Sequence, residues 1–201
     1  MRSRLLLVVL LGFLLGAVGG AVALLLTKGA PVPPVETSGK ALIGGPFALI
    51  DQAGKPVTNQ DFRGRYMLVF FGFTHCPDIC PTELQVMAAA LEALSPKERE
   101  EIVPVFITLD PERDTPAVMA AYVKNFGSGF VGLTGSPEAI AAAAKVYRIA
   151  YSKFQQDKTG SDYTIDHSAL VYLMDKNGDY ITHFAYGTPA AKLTETLHRY
   201  L

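Results

Sequence analysis

The sequence lacks the charge pattern of nucleic-acid-binding proteins. Its 18 Lys and Arg residues are balanced by 19 Asp and Glu residues, which leaves a formal net charge of -1. No run of basic residues follows the first four positions, so we expect no nucleic acid partner. Internal repeats and tryptophan are absent, and the two cysteines lie only four positions apart, so any thiol chemistry is confined to one place.

The length and composition predict one domain of ordinary size with an appendage. The chain has 201 residues, and 49% of them are hydrophobic, which is enough for a core. The appendage is the stretch Leu5–Leu26, which holds no charged or strongly polar side chain. As a helix it would be about 33 Å long, enough to cross a hydrocarbon layer of about 30 Å. Arg2 and Arg4 precede it, and positive residues stay on the cytoplasmic side, so we expect the rest of the chain to be exported.

A cleaved signal peptide is the alternative to a retained anchor, with Ala21–Ala23 as the cleavage site. The apolar run continues beyond that site, which favours the anchor. Three prolines follow within residues 27–39, and no periodicity accompanies them, which is typical of an extended linker. The predicted organisation is an N-terminal transmembrane anchor over 1–28, a linker over 29–44 and a folded domain over 45–201.

The folded part shows strands alternating with helices. Short apolar runs at 67–73, 102–109 and 169–174 predict buried strands, and 47–50 predicts another. Helical patterns cover 82–94, 116–125, 137–146 and 188–200, and Thr115-Pro and Ser136-Pro mark the starts of the second and third. An Asn-Gly pair at 177–178 predicts a hairpin that returns through 180–186. Together these elements predict an α/β fold in which a mixed sheet is flanked by helices on both faces.

The two cysteines lie in the segment FGFTHCPDICPTEL, at positions 76 and 80. A disulfide between them would close only five residues and would stabilise the fold by roughly 2 kcal/mol, so a purely structural role is a poor explanation. Each cysteine precedes a proline, which disfavours helical backbone. We therefore expect a stiff loop from Cys76 to Cys80 and a helix that begins near Pro81. The N-terminus of that helix favours a thiolate at Cys80.

Such a pair can exchange electrons or bind a soft metal, and a metal needs a further ligand. Among the four histidines, His198 and His183 are expected on exposed surfaces, and the side chain of His75 is expected to point away from its neighbour Cys76. His167 precedes the buried strand at 169–174, where loops gather into sites. Asp166 beside it is either an exposed loop acid or a partner that orients the imidazole.

Three stretches of the chain resemble the Sco/SenC family of membrane-anchored, thioredoxin-fold proteins involved in cytochrome c oxidase assembly. They are FGFTHCPDICPTEL at 71–84, FITLDPERDTP at 106–116 and DHSALVYLMDKNGDY at 166–180, and the similarity extends over 45–201. The resemblance implies a thioredoxin-like fold and a copper site formed by Cys76, Cys80 and His167. Thiolates suit Cu(I), and imidazole suits Cu(II) as well.

The function that the resemblance implies is that of a copper metallochaperone. It would receive copper from another extracytoplasmic copper chaperone and deliver it to the binuclear copper site of the copper-bearing subunit of cytochrome c oxidase. The leader lacks the features of a mitochondrial transit peptide, so the bacterial inner membrane is expected, with the domain in the periplasm. The alternative is a thiol–disulfide oxidoreductase that reduces the cysteines of the acceptor through a redox-active Cys76–Cys80 disulfide. A peroxidase-like thiol enzyme is disfavoured because no arginine adjoins the motif.

Three acids are candidates for the surroundings of the metal ligands. Asp78 lies between the cysteines, Asp110 ends a buried strand, and Asp166 precedes His167. For Glu112, Arg113 and Asp114 the sequence favours local ion pairs in a loop. The polar segment from Gln155 to Asp162 is close enough in sequence to His167 to border the site, so it is a hypothetical docking loop for a partner.

Overall fold

The structure is a computed structural model that describes residues 42–155 and 163–201. The predicted anchor over 1–28, the linker before residue 42 and positions 156–162 of the hypothetical docking loop lie outside the described residues. Within the two described ranges, no helix is both long enough and apolar enough to cross a membrane.

A seven-stranded mixed sheet forms the centre of the domain. Its strands, with those of a separate two-stranded hairpin, are β1 Ala48–Asp51, β2 Pro56–Thr58, β3 Tyr66–Gly72, β4 Ile102–Thr108, β5 Val131–Thr134, β6 Tyr151–Gln155, β7 Tyr163–His167, β8 Leu170–Met174 and β9 Tyr180–Ala185. The order in the main sheet is β2-β1-β5-β4-β3-β8-β9. Strands β3, β4 and β5 run parallel, whereas β8 is antiparallel to β3. The continuous apolar runs in β3 and β4 are buried along almost their whole length, as expected of strands covered on both faces.

Helices cover both faces of the sheet, as the sequence predicts. They are α1 Ile79–Glu92, α2 Pro96–Glu100, α3 Pro116–Val123, α4 Pro137–Val146 and α5 Ala190–Leu197, with single 3-10 turns at Asn59–Phe62 and Lys124–Phe126. Phe106 contacts Tyr122 of α3, with ring centroids 5.4 Å apart. Phe71 contacts Tyr147 at the end of α4. Its neighbour Phe70 stacks on Phe106, and successive strand residues point to opposite faces, so α3 and α4 lie on opposite sides of the sheet.

Local signals in the sequence give correct starts for α3 and α4. Thr115 and Ser136 each accept a hydrogen bond from the backbone amide three residues on, and a proline occupies the first turn of both helices. The hairpin between β8 and β9 turns at Asn177 and Gly178, where glycine has a φ of +81° that other residues rarely adopt. The sequence did not reveal β5, α2 or the β6–β7 hairpin.

The direction of the strands determines where the candidate site lies. Strands β3 and β4 run side by side and end together at Gly72 and Thr108. Strand β8 is antiparallel to β3, so it begins at the edge where β3 ends. The residues that follow β3 and those that precede β8 therefore meet at the carboxyl edge of the parallel strands, where ligands bind in open α/β sheets.

Candidate metal centre

The two cysteines follow strand β3, and His167 ends strand β7 directly before β8. The fold brings the three side chains together at the carboxyl edge of the sheet. The Nε2 atom of His167 lies 3.6 Å from the Sγ atom of Cys80. The Sγ atom of Cys76 accepts a hydrogen bond from the backbone amide of Cys80 at 3.4 Å. Both cysteines are free thiols, with Cys80 buried and Cys76 half-buried.

Cys80 lies at a helix N-terminus, although the predicted start of that helix is wrong by two residues. Helix α1 begins at Ile79, so Cys80 belongs to its first turn and Pro81 is its third residue. Proline is tolerated there because the first amides of a helix have no partner inside the helix. The cysteine side chain reaches under β3, where Gly72 leaves room for the sulfur: a Cβ atom at Gly72 would lie 2.7 Å from it.

The two thiols have very different proton affinities. A hydrogen bond from the Cys80 thiol lowers the pKa of Cys76 to about 4, assisted by His167 and by the amides of Cys80 and Asp78, while burial opposes the shift. The same hydrogen bond, together with burial, raises the pKa of Cys80 above its ordinary value. At neutral pH the pair therefore carries one thiolate, on the more accessible Cys76, and one buried thiol. The prediction of a thiolate at Cys80 is wrong, because burial and the hydrogen bond to Cys76 outweigh the helix N-terminus.

The imidazole of His167 is oriented with its Nε2 atom towards the sulfur of Cys80. Its Nδ1 atom lies 3.1 Å from the carbonyl oxygen of Ser168. A carbonyl only accepts hydrogen bonds, so Nδ1 is the donor in this contact, and Nε2 is the nitrogen that faces Cys80. Phe70 and Phe73 approach the imidazole at steep angles, with centroid distances of 6.2 and 6.0 Å. These aromatic rings and the Ser168 carbonyl restrict the rotation of the imidazole.

The predicted surrounding acids take different positions. Asp78 is exposed before α1, and its side chain accepts a hydrogen bond from Thr82. Asp166 is exposed and lies opposite Ser152 in the hairpin. The carbonyl of Ser168, and not the carboxylate of Asp166, contacts Nδ1 of His167. Asp110 is fully buried and accepts hydrogen bonds from Arg113 and Tyr163.

The other histidines do not join the cysteine pair among the described contacts. The Nδ1 atom of His183 contacts the Tyr180 hydroxyl at 2.6 Å, and that of His198 contacts Glu98 at 2.8 Å. His75 is exposed, with its Nδ1 atom 3.2 Å from the hydroxyl of Thr74. These placements agree with the sequence-based preference for His167.

Asp114 is a structural residue that the sequence analysis missed. The expected local ion pairing is present for Arg113 with Asp110, but it is wrong for Asp114, which is fully buried. Its carboxylate accepts hydrogen bonds from the amide and hydroxyl of Thr74 and from the hydroxyl of Thr108. Asp114 thus connects the end of β4 with the loop two residues before Cys76. The sequence signal that could have indicated this role is the position of a charged residue between a buried strand and a capped helix.

The donor atoms fit a soft metal ion. In residues 42–155 and 163–201, no three His, Cys, Asp or Glu side chains already stand as a metal cluster. Cys80 nevertheless contacts both other candidate ligands. Two ligands at about 2.0–2.3 Å from a shared ion lie about 3.5–3.7 Å apart, which agrees with the 3.6 Å between Cys80 and His167. Two sulfur ligands and one imidazole suit Cu(I) better than hard ions.

The sequence is similar to known proteins over most of its length. The family model described as SCO1/SenC matches residues 35–201. A SCO2-like protein of Rickettsia prowazekii is 39% identical over 94% of this chain and 93% of its own. The mitochondrial SCO1 homolog 1 of Arabidopsis thaliana is 44% identical over 79% of this chain, and the match spans 47% of that longer protein.

Solved structures resemble the described domain. ScoI of Bradyrhizobium japonicum, solved with copper bound, has a TM-score of 0.72 and 43% identity over 79% of this chain and 99% of its own. Yeast Sco1 with copper bound has a TM-score of 0.70 and 37% identity, over 79% of this chain and 90% of its own. The mixed sheet and its flanking helices are thus those of the thioredoxin-like Sco fold. The chain belongs to the SCO1/SenC family.

Proposed function

We propose that this protein is a copper metallochaperone that holds copper between Cys76, Cys80 and His167. It delivers the ion to the binuclear copper site of the copper-bearing subunit of cytochrome c oxidase. The observation that carries this proposal is that Cys80 contacts both partners: its Sγ atom lies 3.6 Å from Nε2 of His167, and its backbone amide donates to Sγ of Cys76 at 3.4 Å. The copper-bound relatives of 37–43% identity support copper as the cargo.

The two cysteines have separate tasks in this proposal. Cys76 is half-buried and already a thiolate at neutral pH, so it meets incoming copper first. Cys80 is buried and keeps its proton until the metal displaces it, and His167 completes the site with Nε2. With three protein ligands, the ion stays accessible on the side where the half-buried Cys76 lies. A thiolate of the acceptor can approach there, and stepwise ligand exchange then releases the copper.

The chain organisation belongs to the same proposal. Residues 1–28 anchor the protein in the bacterial inner membrane, 29–44 form the linker, and 45–201 carry copper in the periplasm. The uncharged run Leu5–Leu26 after Arg2 and Arg4 supports this topology. Another extracytoplasmic copper chaperone is the proposed donor, because the domain meets copper outside the cytoplasm.

The copper site is tested with reduced full-length protein in detergent under anaerobic conditions. Cu(I) is titrated in competition with a chromophoric Cu(I) chelator. We expect one equivalent of copper per protein and an affinity that falls by about tenfold or more in His167→Ala. The matched control is His183→Ala, because His183 is exposed on β9 and bonds only to Tyr180 among the described residues. Equal affinities of wild type and His167→Ala would refute the three-ligand site.

A thiol–disulfide oxidoreductase is the second candidate, and the asymmetry of the cysteines favours it. An accessible thiolate beside a buried thiol is the arrangement of a nucleophile and its resolving partner. In this function Cys76 attacks the acceptor disulfide and Cys80 then displaces the reduced acceptor. The two electrons come from the dithiol, which becomes the Cys76–Cys80 disulfide.

The two candidates respond differently to loss of the imidazole. Reduction of a disulfide-bonded acceptor peptide by the dithiol protein is followed by mass spectrometry. The oxidoreductase predicts that His167→Ala keeps this activity, whereas Cys76→Ser loses it. Copper transfer to the same peptide in its reduced form should fail in both variants if the protein is a metallochaperone.

A further inference from the structure

Strand β7 presents alternate residues to the body of the domain. Ile165 is buried, with 4% of its surface exposed. Tyr163 and His167 lie two residues on either side of it and reach Asp110 and Cys80 respectively. Asp166, between them, faces solvent. The side chains of Tyr163 and His167 thus point the same way from one short strand, about 13 Å apart along it.

Tyr163 is held by both its side chain and its backbone. Its hydroxyl donates to Oδ1 of Asp110 at 2.7 Å, and its carbonyl accepts from Nη1 of Arg113 at 3.1 Å. The guanidinium of Arg113 also lies 3.8 Å from the centre of the tyrosine ring. Arg113 donates through Nε to the other oxygen of Asp110. One ion pair, between buried Asp110 and partly buried Arg113, therefore fixes the start of β7 in position and orientation.

Few other contacts of the described residues hold the outer end of the hairpin. Strands β6 and β7 pair with each other and, among the described residues, not with the seven-stranded sheet. Every residue of β6 is exposed. At the inner end, the amide of Ser168 donates to the carbonyl of Ala150 at 3.0 Å. An isolated two-stranded hairpin is marginally stable in water, so tertiary contacts decide its position.

The ion pair between Lys153 and Glu112 is a weaker connection to the hairpin. Its atoms are 2.8 Å apart, but both side chains are substantially exposed, at 42% and 59%. Exposed pairs of this kind contribute little because water screens them and the long side chains lose entropy. The buried Asp110 and the partly buried Arg113 do not share this weakness.

We propose that Tyr163, Asp110 and Arg113 form a clamp that fixes strand β7 and thereby positions the imidazole of His167 against Cys80. The three residues are positioning residues and do not bind the metal. Without the clamp the β6–β7 hairpin still forms, but it detaches from the rest of the domain more often. It then carries His167 away from the cysteine pair. The clamp's effect on copper rests on the proposed three-ligand site, whereas its effect on the hairpin does not.

The first test compares Tyr163→Phe with Tyr200→Phe in the metal-free full-length protein. The first variant removes one hydroxyl from the clamp, and the control removes one from an exposed tyrosine near the C-terminus. Backbone hydrogen–deuterium exchange is followed by mass spectrometry. A lost hydrogen bond to a charged group predicts exchange that is about tenfold or more faster in β6 and β7, with β3 and β4 unchanged. Unchanged exchange in the hairpin, or equal acceleration throughout the domain, would overturn the clamp.

The second test separates positioning from general support. Arg113→Lys keeps the charge but cannot contact Asp110 and the Tyr163 carbonyl as a planar fork, so we expect it to resemble Arg113→Gln in hairpin exchange.

In Cu(II)-loaded protein, the nitrogen hyperfine coupling of His167 should weaken in Tyr163→Phe and not in Tyr200→Phe. A full nitrogen signal in Tyr163→Phe would contradict the positioning role. If wild type takes up no copper, the proposed function fails, and the exchange experiment still decides the clamp.

Discussion

The Sγ atom of Cys76 lies 3.4 Å from the backbone nitrogen of Cys80, which donates a hydrogen bond to it. A hydrogen bond from the Cys80 thiol contributes most to lowering the pKa of Cys76 to about 4, and His167 and the backbone amides of Cys80 and Asp78 add to it. One turn of chain therefore makes its first cysteine a thiolate and keeps its second protonated. The four-residue spacing creates this asymmetry because it places the first sulfur over the N-terminus of the helix that contains the second.

We predict that Cys76 is alkylated by iodoacetamide at a rate that barely changes between pH 6 and 8. An ordinary thiol becomes about tenfold more reactive for each pH unit below its pKa, because only the thiolate reacts. Cys76 is fully ionised above about pH 5 and stays so as the pH rises. Stopped-time alkylation with peptide mapping measures the rate at Cys76 separately from that at Cys80.

Replacement of the second cysteine is the control for this pH profile. Cys80→Ala removes the thiol donor that contributes most to the lowered pKa. The onset of alkylation at Cys76 should therefore move upward in pH towards that of an ordinary thiol. A wild-type rate that rises tenfold per pH unit up to pH 8 would show that Cys76 has no such stabilisation.

We predict that Gly72→Ala destabilises the domain by about 1–3 kcal/mol through overpacking. The new Cβ atom would lie 2.7 Å from Sγ of Cys80 and 2.9 Å from the ring of Phe106, both in the closed space beneath α1 and α3. Urea unfolding gives the change in free energy. Gly129→Ala is the matched control, since no atom lies within 4 Å of its new Cβ. Equal stability of the two variants would mean that Cys80 can move aside freely.

We predict that Asp114→Asn lowers the free energy of unfolding by about 1–3 kcal/mol and makes the loop before Cys76 more mobile. The carboxylate accepts hydrogen bonds on both oxygens, including one from the amide and one from the hydroxyl of Thr74. An asparagine presents only one acceptor, so at least one buried donor loses its partner. Urea unfolding measures the cost. Glu112→Gln, an exposed neutralisation in the same loop, should stay within about 0.5 kcal/mol of wild type.

The sequence predicts the central strands, and the placement of the two cysteines after one of them, because these features have local signals. Continuous apolar runs give β3, β4 and β8, and proline after Thr115 and Ser136 gives the helix starts. The selection of His167 also follows from order along the chain, since it precedes a core strand that borders β3.

The features that were missed depend on contacts between distant segments. Strand β6 is exposed throughout, so no alternation of apolar residues marks it. The partners of Asp114 and Asp110 lie 40 and 53 residues away in Thr74 and Tyr163. A sequence pattern shows that these acids lie between a buried strand and a capped helix, but only the folded chain shows which donors they meet. The start of α1 was misplaced because Cys80 is helical although it precedes Pro81, so the local preference for extended backbone before proline is overridden there.

We predict that Glu83→Gln makes the domain more stable at neutral pH. Glu83 is 1% exposed, and neither carboxylate oxygen makes a hydrogen bond of normal geometry within the described residues. Burial raises its pKa, and the nearby backbone of Gly187 opposes the shift only in part. A raised pKa means that the folded protein binds this proton more tightly than the unfolded chain. The carboxyl is then compatible with folding below about pH 4.3 and costs stability as the pH rises through its folded pKa.

The expected gain of Glu83→Gln is therefore small near pH 4 and grows to about 1–3 kcal/mol at pH 7, because the substitution removes a buried charge although the amide stays without a partner. Urea unfolding at a series of pH values measures it. Glu100→Gln is the control, because Glu100 is exposed and its neutralisation should give a nearly constant, small difference. A wild type that is more stable than Glu83→Gln at pH 7 would mean that the ionised carboxylate has a favourable partner. Because Glu83 is part of α1, its charge would then support the helix that holds Cys80.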